Sequence, residues 1–272
     1  MGHIYLQGLG VEKNAKEAVR WYKLAAAQGN AVAQLNVAGA YALGQGVAKD
    51  RAEAVRWYKM AADQGLAEAQ FSLGYSYENG LGVELNHAQA LRWYALAGDQ
   101  GLADAQFNLA LIYENGVGLA KNEVEAARWY KLAALQGRAL AQNNLGLMYR
   151  QGRGVAQDHA EAFRWFKLAA EQGRQIAQLN LGLMYSQGQG VALDYSEAAR
   201  WFKLSAAQGH PTAQYNLGLM YGAGLGVKRD VAQEVRLYKL SAAQGELDAQ
   251  YNLALMYFNG RGVKRNLIRA HM

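Results

Sequence analysis

The chain has 272 residues, 51% of them hydrophobic, with one proline, no cysteine and a formal net charge of +6. The lack of cysteine excludes a disulfide framework and any thiolate metal or redox centre, and leaves cytoplasm and periplasm equally open. No apolar run approaches the roughly 18 residues of a membrane span, and no secretory leader is read at the N-terminus. The charge is uneven: residues 1–136 carry 12 Lys/Arg and 13 Asp/Glu, whereas residues 137–272 carry 16 and 9. Such asymmetry either steers an acidic partner or is plain solvated surface.

A fixed period of 36 residues organises the whole chain. Trp21, Trp57, Trp93, Trp129, Trp165 and Trp201 keep this step, with Leu237 in the next place, as do the tyrosines from Tyr5 to Tyr257 and the glycines from Gly29 to Gly245. A period of this length marks a solenoid of stacked repeats, which overrides the domain count that length alone suggests. Residues 1–13 read as a partial repeat, 14–265 as seven repeats of 36, and 266–272 as the truncated start of another. All form one solenoid. The chain begins and ends inside helices, so it reads as a fragment of a longer array, with head-to-tail self-association through the raw ends as a second reading.

Each repeat predicts two helices. The first opens at an Asn or Asp, from Asn14 through Asp50, Asn86, Asn122, Asp158, Asp194 and Asp230 to Asn266. Such side chains cap the orphaned N–H groups of a first turn. Glu or Gln three places on, as in Glu17 or Glu197, completes the pattern of a capping box. Helical apolar spacing follows, as in Ala198, Trp201, Phe202, Ser205 and Ala206, and Gln-Gly closes the helix with a left-handed glycine. The second helix runs in one repeat from about Pro211 to Tyr221. Recurrent Ala or Gly at Ala38, Gly74, Ala110, Gly146, Gly182, Gly218 and Ala254 keeps bulk away from a helix crossing. A G-x-G-V loop ends each repeat.

The pattern A-x-A-Q-x-N-L-G-x-x-Y-x-x-G-x-G-V-x-x-D-x-x-E-A-x-R-W-Y-x-x-A-A-x-Q-G resembles the Sel-one-like repeat (SLR), a branch of the tetratricopeptide superfamily, from Gly2 to Ala270. Leu119, Leu237 and Ser72 are its minor departures. The resemblance implies an all-α, right-handed superhelix of antiparallel helix pairs, with the A-Q-x-N-L-G helices lining a concave face. It also implies protein–protein interaction, usually in bacteria.

Chemistry-bearing candidates reduce to a binding strip. The G-x-G-V loops follow helices and recur eight times, so they are turns and not dinucleotide fingerprints. His3, His87, His159, His210 and His271 make no metal-ligand spacing. His87 and His159 share a repeat position expected to be an exposed first-turn site. The carboxylates fall mostly on caps and outer faces, so no acid/base pair, catalytic constellation, cofactor or small-molecule substrate is read; the chain is not an enzyme. The Arg row from Arg20 to Arg236 reads as a solvated outer ladder paired with Glu or Gln three residues earlier.

The Asn row Asn36, Asn108, Asn144, Asn180, Asn216 and Asn252 has two readings. Each amide can clamp an extended peptide backbone, a role that the resemblance to the tetratricopeptide superfamily supports, or can bond neighbouring repeats together. Phe71, Phe107, Tyr215 and Tyr251 stand beside the row as pocket walls or as packing. Glu68, Glu78, Asp104, Glu114, Arg150 and Phe258 vary along the same face and would set selectivity. The expected function is a non-enzymatic adaptor or scaffold that receives a peptide or partner protein in the concave groove. An RNA-binding helical repeat is the alternative, though a uniform Asn row lacks the variety of a base code and nucleic acid is not the expected partner. An idealised, engineered array without a natural partner is a further one.

Overall fold

The computed structural model describes residues 1–270. Among these there are sixteen helices and no strand: α1 (Gly2–Gln7), α2 (Ala15–Ala27), α3 (Ala31–Leu43), α4 (Arg51–Asp63), α5 (Ala67–Asn79), α6 (His87–Asp99), α7 (Ala103–Asn115), α8 (Glu123–Leu135), α9 (Ala139–Gln151), α10 (His159–Glu171), α11 (Gln175–Gln187), α12 (Tyr195–Ala207), α13 (Pro211–Ala223), α14 (Val231–Ala242), α15 (Leu247–Asn259) and α16 (Leu267–Ala270). Even-numbered helices are the first of each pair and odd-numbered ones the second. They fall into two compact units, Met1–Gln136 and a second that starts at Gly137. Inside each unit every helix packs on the next in sequence, so the fold is the expected all-α repeat solenoid.

The first helices start where the caps are. Asn14 Oδ1 accepts the Glu17 N–H at 3.1 Å, and Asp158 Oδ1 accepts from both Ala160 and Glu161. The capping box closes differently from expectation. The cap residue's own N–H donates to a tyrosine carbonyl: Asn14 to Tyr5, Asp50 to Tyr41, Asp158 to Tyr149, Asp230 to Tyr221. These carbonyls sit in the last turn of the preceding second helix, where no intrahelical donor exists, so one helix end satisfies the other's start. The glutamate then turns outward to arginine, as in Arg128–Glu125 at 3.0 Å and Arg200–Glu197 at 3.0 Å. In two repeats it also accepts a tryptophan indole N–H, Trp57 to Glu53 and Trp165 to Glu161. The Arg row is exposed, as expected.

The second helices owe their packing to missing side chains. A Cβ at Gly74, Gly146, Gly182 or Gly218 would lie 2.7–2.8 Å from the ring of Tyr94, Phe166, Phe202 or Tyr238 on the following first helix. Helix α13 continues to Ala223, two residues past the expected stop, because Gly224 at φ 74° is where the left-handed turn begins. The second loop glycine does more than complete a turn. In each of several repeats its Cα rests on the first turn of that repeat's first helix, so that a Cβ at Gly46, Gly82, Gly190 or Gly226 would strike the backbone of Ala15, Arg51, His159 or Tyr195. His87 and His159 are therefore half-buried under loop glycines and not freely exposed, which corrects the sequence-based expectation.

A buried polar row runs through the apolar core. Gln34, Gln70, Gln106, Gln142, Gln178 and Gln214 are only 2–5% exposed. The Nε2 of Gln106 donates to the Gly98 carbonyl at 3.0 Å, in the last turn of the first helix of its own repeat, and its Oε1 accepts from Gln136 at 2.8 Å. The pair Gln178–Gln208 repeats this at 2.8 Å.

Gly226 offers a direct test, since it combines φ 65° with close backbone contact to Tyr195. Gly226→Ala should cost about 2 kcal/mol or more, from left-handed strain plus displacement of the loop. Urea unfolding of both proteins measures it; a change within about 0.5 kcal/mol, the range of an ordinary surface substitution, would show that the contact is dispensable.

Candidate binding face on the second helices

The odd-numbered helices carry the Asn row, and the structure divides it. Asn36 Nδ2 donates to the Val32 carbonyl at 2.9 Å, and Asn216 Nδ2 to Thr212 at 2.7 Å, one turn back in their own helices. Both are half-buried. Their amide oxygens take no part in those bonds. Asn180, by contrast, is 5% exposed. Its Nδ2 donates to Asn143 Oδ1 at 3.2 Å and its Oδ1 accepts from Arg150 at 3.1 Å, both in the preceding repeat. Asn252 donates to the Tyr215 hydroxyl at 3.4 Å. Asn108 is half-buried, and Asn144 accepts from Asn143 at 3.3 Å. The row is thus a mixture: Asn180 is tied into its neighbours, while Asn36 and Asn216 keep an acceptor to offer.

The aromatic column divides in the same way. Phe71, Phe107 and Tyr215 pack on Tyr94, Tyr130 and Tyr238, with ring centroids 5.5, 5.8 and 5.8 Å apart. Tyr251 is 66% exposed, and Leu219, Leu255 and Phe258 on the same helices are also open to solvent. The variable positions are partly engaged. Glu78 and Glu114 accept the hydroxyls of Tyr94 and Tyr130 at 2.7 and 2.6 Å. Burial and these carboxylate contacts push the Tyr94 hydroxyl well above the ordinary tyrosine range. Where the ring is Phe166 and has no hydroxyl, Arg150 lies over it at 5.6 Å from the centroid.

One buried charge escaped the sequence reading. Ala18, Ala54, Ala90, Ala126, Ala162 and Ala198 are all buried at the same repeat position. The next residue in that column is Glu234, 4% exposed. Its carboxylate pairs with Arg261 at 2.7 Å, and burial raises its pKa above the usual carboxylate value. The break in the alanine column was the available signal. Among the described residues no group of three or more His, Asp or Glu could hold a metal, and no helix is long and apolar enough to cross a membrane. His271 lies outside the described residues.

Comparison with known proteins follows the same period. The Sel1 repeat model matches residues 1–30, 31–66, 67–102, 103–137, 139–173, 175–210, 211–246 and 247–272, with most of these segments opening at the second helix instead of the first. The crystal structure of c5321, a protective antigen present in uropathogenic Escherichia coli strains displaying an SLR fold, is similar at 38% identity and a TM-score of 0.94 over 99% of this chain. The chain spans 58% of the length of that protein. A Sel1 repeat protein from Oxalobacter formigenes is similar at 34% identity and a TM-score of 0.75, over 99% of this chain and 78% of that one. No curated protein matches the chain.

Two stability measurements follow from the geometry. Asn180→Ala should lose about 1–3 kcal/mol, because it strands Asn143 and Arg150, whereas Asn216→Ala should stay within about 0.5 kcal/mol; equal losses in urea unfolding would contradict the division of the row. For Glu234, the folded state favours the protonated acid. Stability of the wild type relative to Glu234→Ala should rise as pH falls through the interval between the raised folded pKa and the ordinary glutamate value, then level off. A flat or opposite difference in pH-dependent unfolding would overturn that assignment.

Proposed function

This chain belongs to the Sel1 repeat family, whose members are generally non-enzymatic protein-interaction scaffolds, and from that premise we propose that the face of its second helices receives an extended peptide or a loop of a partner protein. The reading is carried by one observation: this face keeps polar acceptors and large apolar groups beyond what stacking consumes. In the second unit Asn216 retains its amide oxygen, and Leu219 on the same helix and Tyr251, Leu255 and Phe258 on the next second helix stay exposed; in the first unit Asn36 retains its amide oxygen likewise. A partner backbone N–H meets an amide oxygen without regard to side-chain identity, while exposed aromatic groups supply anchoring area. Selectivity follows from what differs along the face, acidic at Glu68 and Asp104, basic at Arg150, apolar at Phe258. In this reading Asn180 shapes the face, and Asn216 and Tyr251 contact the partner.

Peptides selected on the purified chain from a random display library test the proposal. Their affinity should fall roughly tenfold for Asn216→Ala and for Tyr251→Ala, the loss of one well-used contact. Unchanged affinity for both variants would move the binding surface elsewhere.

A further inference from the structure

One end of this face contains a feature that stacking does not require. Six repeats place alanine at the position of Glu234, so the stack forms without a carboxylate there. A second departure accompanies it. Gly222 occupies a position held elsewhere by Ala42, Glu78, Glu114, Arg150, Ser186 and Phe258. A Cβ at Gly222 would lie 2.5 Å from the Glu234 carboxylate. The glycine makes the room and the glutamate enters it, so the two exceptions act as one.

Both line a cavity of about 540 Å³ among α13, α14, α15 and the loops that follow α13 and α15. Leu219 and Leu255 supply apolar wall, and Arg229, Asn252 and Arg261 supply donors. Glu234 spends one oxygen on Arg261 at 2.7 Å, with the Glu234 side chain 5% and that of Arg261 47% exposed. The guanidinium is therefore held at its inner edge and open at its outer one. Five N–H groups on a fixed plane leave it donors to spare. The lining carries two guanidinium charges against one carboxylate, so its balance is cationic. A cation entering here meets two arginines and a carboxylate already bonded; an acceptor-rich anion meets arginine and amide N–H groups.

We propose that this cavity binds a carboxylate carried on an apolar body, with Arg261 and Arg229 as the anion-binding groups and Glu234 as the positioning residue that aims Arg261. The ligand chemistry is that of a peptide's terminal carboxylate or of an acidic side chain beside a leucine-like group. Arginine and carboxylate form paired, charge-assisted hydrogen bonds, and the volume falls in the range of small-ligand sites. The proposal deepens the partner-binding reading, since Leu255 and Asn252 belong to the same face.

The test uses three dipeptides on the whole chain: acetyl-Leu-Leu with a free carboxylate, its C-terminal amide, and acetyl-Leu-Glu amide. Titration is followed by the NMR signals of the Asn252 side-chain amide and the Leu255 methyls. Acetyl-Leu-Leu should bind saturably, and its amide roughly tenfold more weakly, as expected for losing one charge-assisted pair. Binding by acetyl-Leu-Glu amide assigns the side-chain source, and its failure beside a binding acetyl-Leu-Leu assigns the terminal one. Arg261→Gln should shrink the difference between acid and amide, with Arg229 alone left to meet the anion. Glu234→Ala carries the residue of the other repeats and so should fold; it should weaken acetyl-Leu-Leu binding. Equal binding of acid and amide, no binding of either acid, or tighter acid binding by Glu234→Ala would each overturn the site. Display-selected peptides that still depend on Asn216 and Tyr251 after such a failure would leave the wider face intact, so the two readings fail separately.

Discussion

The side chain of Gln106 has almost no solvent contact, yet both of its polar atoms are bonded. Its nitrogen takes a carbonyl that the last turn of a first helix cannot satisfy, and its oxygen takes an amide from the next repeat. Gln34, Gln70, Gln178 and Gln214 do the same. An unpaired polar atom at this depth would cost about 1–3 kcal/mol, so each repeat depends on its neighbour to bring the second glutamine. Apolar burial makes the helices stack; this bond sets where along the stack they stop, because hydrophobic contact is non-directional and an amide pair is not.

Other parts of the unit follow the same logic of neighbours completing one another. The N–H of each cap residue needs an acceptor, and the tyrosine carbonyl at the end of the previous helix needs a donor. The rings of Tyr94, Phe166, Phe202 and Tyr238 need volume, and glycine on the preceding helix provides it. The loop glycine lets the chain return onto its own first turn. Each local element would be incomplete alone, which is the physical basis of a repeat architecture whose stability resides in nearest-neighbour interfaces.

The binding face is built from what this scheme leaves over. Asn180 is consumed by Arg150 and Asn143, while Asn216 bonds only one turn back within its own helix among the contacts described. The reason is local. Asn143 stands where the neighbouring repeats have Phe or Leu, and Arg150 where they have Glu or Ser, so polar partners exist at Asn180 and nowhere else in quite that form. Glu234 is the counterpart on the first helices: a charge placed in the core because Gly222 vacates the space. Variation between repeats, not the repeat itself, distinguishes one part of the face from another.

Periodicity alone determined the helix pairs, their caps, the glycine turns and the outward Arg row, since each depends on residues within about one turn of each other or on the strict step of 36 residues. The alanine column broken at Glu234 was visible in the same register, but its meaning was not. Which asparagines are tied down, whether a carboxylate is buried or solvated, and that His87 and His159 lie beneath loop glycines were decided only by tertiary structure. Those properties depend on side chains roughly 27 to 37 positions apart, as in Arg261–Glu234 and Asn180–Asn143, and only the stacking of helices brings such residues to bonding distance.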